Sequence, residues 1–126
     1  MSNNGTTSGF IPDGYTLSGF IKASEEWRYP ALRFEYRPMV GYEKERIHEK
    51  IGKAADAEAG ERTTHKALAD RLVSWDLTHQ GEAIELTESN VSRLEMHLGG
   101  RLLSVVMGWE ADDISELENE DNDAEN

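Results

Sequence analysis

The chain has 126 residues, with 25 acidic against 13 lysine or arginine side chains, a formal net charge of −12 and no cysteine. The missing cysteine excludes disulfides, thiol nucleophiles and thiolate metal sites, and suits a reducing compartment. The acid excess and the lack of a dense basic cluster argue against a reader of phosphate backbones, so no nucleic-acid partner is expected. No window approaches the ~18 consecutive apolar residues of a membrane span, and no basic region followed by an apolar run suggests a secretory signal.

Charge is distributed unevenly. Nine acids and no base lie in residues 110–126, which leaves 13 bases against 16 acids, or about −3, for residues 1–109. Like charges at this density repel, and only Ile114 and Leu117 offer apolar surface there. Residues 110–126 are therefore expected to form a solvated, disordered acidic tail. Residues 1–9 are small and polar and read as a frayed terminus. The folded unit expected is a single α+β domain over residues 10–109. A core that thin favours association with a partner or with further copies of the chain.

In chain order, Pro12-Asp13-Gly14 is a turn signal, and Tyr15 to Lys22 reads as a strand. Ala23 to Pro30 is a turn carrying Trp27 and Tyr29. From Ala31 to Arg37, Leu32, Phe34 and Tyr36 alternate with Arg33, Glu35 and Arg37, the pattern of a half-buried strand, which Pro38 ends. The two strands are expected to pair antiparallel. Gly41 to Ala59 has the spacing of a solvated helix, with Ile47, Ile51, Ala54 and Ala55 on one side and Gly60 as a stop. Thr63 or Thr64 can cap a second helix carrying Leu68, Leu72 and Trp75, although Leu72 to Leu77 would also alternate as a strand. A hairpin over Trp75–Leu86 is expected to turn at Gln80-Gly81. Thr87 caps the last helical stretch. Gly99-Gly100 cost roughly 1 kcal/mol each in a helix interior, which predicts a break and a separate apolar helix from Arg101 to Gly108. The resulting fold is a small antiparallel sheet, made of the N-terminal strand pair and the Trp75–Leu86 hairpin, packed by three or four helices.

No catalytic, cofactor or metal constellation is complete. His48-Glu49 opens like a zinc-protease helix, but the position of the second ligand is Gly52. His65, His79 and His97 follow no ligand spacing. Ser74, Asp76 and His79 lie close in sequence but lack a glycine-flanked nucleophile turn, and Asp76 is better placed to bond backbone amides where the hairpin begins. Gly99-Gly100-Arg101 lacks the lysine and hydroxyl of a phosphate loop. Trp27, Trp75 and Trp109 are core candidates, Trp109 being the best placed to reach a partner. The apolar stretch gives the candidate partner-binding residues Leu102, Leu103, Val106 and Trp109.

Several segments, taken in order, carry a family likeness. They are Pro30-Ala31-Leu32-Arg33-Phe34-Glu35-Tyr36-Arg37-Pro38, a charged helix, Leu72-Val73-Ser74-Trp75-Asp76-Leu77, and Gly81 to Leu94 with its Leu86-Thr87-Glu88-Ser89-Asn90-Val91 element, closed by an apolar helix. Over residues 12–108 this order resembles the tail assembly chaperones of long-tailed bacteriophages and prophages. Gly99-Gly100 and the acidic tail depart from that pattern. The resemblance implies a non-enzymatic protein of the bacterial host cytoplasm, without cofactor, that keeps a tape measure protein soluble and helps recruit tail tube subunits. The alternative is a structural subunit of the phage particle, a tail or head-completion component.

Overall fold

The computed structural model describes residue 10 and residues 14–117. Residues 1–9, expected to fray, and residues 118–126 of the acidic segment lie outside the described residues. The fold is α+β, with two small antiparallel sheets and their helices. Strands β1 (Leu17–Ile21), β2 (Leu32–Tyr36) and β3 (Leu72–Trp75) form the larger sheet in the order β1-β2-β3. The short strands β4 (Thr78–His79) and β5 (Glu82–Ala83) form a separate hairpin. Helix α1 (Gly41–Gly52) and helix α2 (Ala57–Arg71) follow β2, while α3 (Glu88–Val91) and α4 (Met96–Val106) follow the hairpin.

The alternation in β2 sets the sheet. Leu32 and Phe34 are buried while Arg33 and Glu35 are exposed, as a pleated strand with one covered face requires. Phe34 pairs with Gly19 on β1, and its ring lies where a Cβ at Gly19 would stand, so this close approach needs glycine. On the other side Phe34 pairs with Trp75, and the register shifts between Glu35 and Tyr36. Trp75 thus belongs to the three-stranded sheet rather than to the hairpin. The hairpin is shorter than Trp75–Leu86 but turns where expected: Gln80 (φ 53°) and Gly81 (φ 83°) both adopt the left-handed conformations of a tight two-residue turn.

The core lies between the large sheet and α2, α3 and α4. It gathers Ile21, Leu32, Phe34, Leu68, Leu72, Val91, Leu98, Leu102, Val105 and Val106. Two helix boundaries differ from the sequence reading. Gly60 does not end a helix; α2 runs through it, because Asp56 caps the helix by accepting a hydrogen bond from the Ala59 amide at 2.8 Å. Thr63 sits inside α2, where its hydroxyl donates to the Ala59 carbonyl. Gly99 and Gly100 do not break α4 either. Leu98, Leu102, Val105 and Val106 fall on one buried stripe, and their burial outweighs the weak helix propensity of two glycines. Thr87 does act as a cap, for the short α3, and Glu95 caps α4.

Helix α4 ends at Gly108 (φ 77°), with the Gly108 amide bonded to the Val105 carbonyl and the Trp109 amide to that of Ser104. This double closure through a left-handed glycine turns the chain sharply. The following residues are not free in solvent, so the boundary expected at Trp109 moves to at least Leu117. The Asp112 carboxylate accepts from the Phe20 amide at 2.9 Å, the Asp113 carboxylate accepts from the Lys22 amide at 3.0 Å, and the Asp113 amide donates to the Phe20 carbonyl at 2.8 Å. Arg101 on α4 holds the same stretch through Asp113 at 2.8 Å and the Ala111 carbonyl at 2.9 Å. Residues 110–117 form a strap across the outer edge of β1. Composition predicts solvation for this stretch, but carboxylates bonding exposed edge amides outweigh the mutual repulsion of its charges.

Candidate partner-binding surfaces

Of the candidate residues Leu102, Leu103, Val106 and Trp109, three face the interior. Leu102 is 0% exposed and Val106 is buried beside it, both in the chain's own core, while Leu103 is half-buried against that core. They are therefore not a docking surface, because the apolar stripe of α4 is consumed by the core it shares with the sheet, α2 and α3. Trp109 is 43% exposed and meets His48 of α1 edge-on at 5.8 Å. Trp27 is not a core residue; its ring stacks on His97 at 3.5 Å. Trp75 is half-buried, and its indole N–H donates to the Ile84 carbonyl at 2.7 Å, tying the hairpin to the sheet.

The residues weighed for catalysis are not brought together. Ser74 reaches Glu35 across the strands at 3.4 Å, and the Asp76 carboxylate accepts from the Arg33 amide at 2.8 Å, at the end of β2 and not at the hairpin. Ser74 and Asp76 line one shallow depression with Ile114, whereas His79 lines another. Among the described residues no three histidine, aspartate or glutamate side chains are grouped so as to hold a metal ion. No helix among them is long and apolar enough to cross a membrane. Tyr36 has its phenol pushed above the ordinary value by burial, then by the Asp112 carboxylate and by Tyr15. Lys22 is raised by its hydrogen bond and attraction to Glu116, on an exposed surface. Neither shift marks a site of acid–base chemistry.

Two concavities flank the connection between α3 and α4. The first, of about 580 Å³, is a groove between the α1–α2 corner and the start of α4. Its walls carry Ile51, Ala54, Ala57, Leu68 and Val91, with Gly60, Gly99 and Gly100 among them. Met96, 76% exposed, stands at its lip. None of the three glycines has a left-handed φ, and a Cβ would find ordinary contact distance at Gly60 and Gly99 and open space at Gly100. Alanine at each would be more favourable to the helix by about 1 kcal/mol. The fold of this chain therefore gives no reason for glycine there. In sequence these glycines look like helix punctuation; their signal is that they sit inside uninterrupted helices and line one groove.

The second concavity, of about 510 Å³, lies between the β1–β2 connection, the hairpin and the α3–α4 connection. Leu77, Ile84, Leu94 and Leu98 contribute apolar walls, and Arg28, Arg93, His79 and Glu95 charged or titratable groups. Arg28 has φ 61°, a left-handed conformation that costs a residue with a Cβ about 1 kcal/mol.

Comparison of the chain with protein-family models, with curated proteins and with solved structures finds no match.

Proposed function

We propose that this chain is a non-enzymatic tail-assembly chaperone or adaptor, acting in the bacterial host cytoplasm, that receives an apolar helical segment of a client such as a phage tape measure protein. The observation that carries the reading is the glycine-lined groove. Three glycines in helix interiors lower the stability of α2 and α4 and are not required by any internal contact. Bare backbone on a groove wall lets a second helix approach closely, with apolar flanks such as Ile51 and Met96 to cover it. Asp56, Glu61 and Glu95 also line the groove and favour a client helix with lysine or arginine beside its apolar seam. The groove replaces the α4 stripe as the client surface.

The test is co-expression with a phage tape measure protein as client. Gly100→Leu and Gly60→Leu fill the groove without disturbing the core. The expected result is a folded variant that no longer keeps the client soluble, with affinity for its apolar segment down at least tenfold. Groove-filled variants that protect the client as well as the parent would overturn the proposal. Tyr42 on α1 and Val73 on β3 are large apolar side chains left exposed on two different elements, as in a subunit with several neighbours. That favours, as a second reading, a structural subunit of the particle, and finding the chain in purified mature particles would select it.

A further inference from the structure

The second concavity carries an inference independent of the client groove. The chain has eight arginines in a background of 25 acids. Six of them are engaged. Arg62 and Arg71 pair with Glu58 and Glu43, and Arg101 pairs with Glu110 and Asp113. Arg37 donates to the Asp70 carbonyl, and Arg33 and Arg46 lie over the rings of Phe20 and Tyr42. Arg28 and Arg93 are the two whose side chains make no such contact among the described residues, and both line this one pocket. The single acid in the lining is Glu95, so two guanidinium groups stand against one carboxylate. In so acidic a chain, two unpaired guanidinium groups sharing one concavity are a local excess of positive charge. Arg28 is the last residue of the four-residue turn closed by the Ser24–Tyr29 backbone bonds at 3.0 and 3.1 Å, which accounts for its left-handed backbone and fixes its place at the pocket.

We propose that this pocket binds the carboxylate of an acidic, apolar-flanked peptide segment of a partner protein, held by Arg28 and Arg93 over the floor of Leu77, Ile84, Leu94 and Leu98. The guanidinium fork matches a carboxylate in shape and donates two parallel hydrogen bonds to it. The apolar floor takes the neighbouring side chain of the segment. A nucleic-acid strand offers phosphates to the same arginines but brings many charges against a molecule of net charge −12. A peptide carrying one or two carboxylates meets far less of that repulsion, which decides between the two classes. The Leu94 and Glu95 positions line both concavities, so a segment seated here would run beside the client groove.

The experiment titrates the full chain, isotope-labelled for NMR, with a capped hexapeptide alternating leucine and glutamate. The same peptide with glutamine for glutamate, and a short single-stranded oligonucleotide, are run in parallel. The glutamate peptide is expected to shift the amide signals of Arg28, Tyr29, Thr78, His79, Arg93 and Leu94. The glutamine peptide should bind at least tenfold more weakly. Arg93→Gln should weaken binding of the glutamate peptide about tenfold. Arg28→Gly should do the same while raising the melting temperature, because glycine accepts the left-handed backbone and removes the guanidinium. Equal binding by the two peptides, tighter binding of the oligonucleotide at these residues, shifts confined to other surfaces, or full binding by both arginine variants would each overturn the proposal.

Discussion

Leu102 shows how one residue's role turns on its neighbours. It lies in the most apolar stretch of the chain, and apolar helix surface without a visible partner in sequence reads as a docking face. In the structure it is fully buried in the core that α4 shares with the sheet and helices α2 and α3. Leu102→Ala should therefore destabilise the fold by about 2–5 kcal/mol, as truncation of a buried leucine does. Equilibrium urea denaturation checks this, and a loss below about 1 kcal/mol would mean that the side chain is not in the core. Tyr36 gives a second prediction at this scale. Its phenol is held above the ordinary value near 10, first by burial and then by Asp112 and Tyr15. The folded state thus keeps the proton longer than the unfolded chain does. The stabilisation is fully present below pH ~10 and is lost as pH rises through the higher folded value. Denaturation midpoints should fall more steeply above pH 10 in the parent than in Tyr36→Phe. The alternation of Leu32, Phe34 and Tyr36 was legible because a period of two leaves no other assignment. The side on which Leu102 and Val106 are buried was not, since periodicity names a face and never says what covers it.

At the scale of elements, the two misplaced helix boundaries share one cause. Glycine was read for its intrinsic cost, whereas capping and packing decided the outcome. Asp56 starts α2 three residues before Ala59, a signal present in the sequence, and four buried side chains carry α4 through Gly99-Gly100. Gly100→Ala should accordingly stabilise the chain by about 0.5–1 kcal/mol in thermal or urea unfolding, since the added Cβ meets nothing. The strap makes the opposite case. Its carboxylates satisfy amides on the outer edge of β1, a row that would otherwise offer pairing to another chain. Asp113 bonds both Lys22 and Arg101, so Asp113→Ala leaves two donors without their acceptor. A loss of about 1–3 kcal/mol is expected, together with faster hydrogen exchange at the Lys22 amide. Unchanged exchange at that amide would show that the strap does not guard the edge. Charge density alone could not reveal the strap, because the edge it bonds lies some ninety residues earlier in the sequence.

For the molecule as a whole, the acid excess and the engaged arginines pull in opposite directions when salt is added. Four of the eight ion pairs among the described residues are exposed on both sides and contribute little, as surface pairs generally do, at about 0–1 kcal/mol each. Repulsion among the surplus carboxylates acts across the whole surface, and it is screened as the Debye length contracts from about 30 Å at 0.01 M to about 10 Å at 0.1 M. The strap's bonds to backbone amides are short-ranged and largely survive this screening. Melting temperature should therefore rise between 0.01 and 0.2 M sodium chloride. The rise should shrink in a variant with glutamine or asparagine at Glu118, Glu120, Asp121, Asp123 and Glu125, which removes five charges. Differential scanning calorimetry across that range checks both statements. A melting temperature that falls with salt would mean that attraction, through Arg101 and the strap, outweighs the repulsion implied by a net charge of −12.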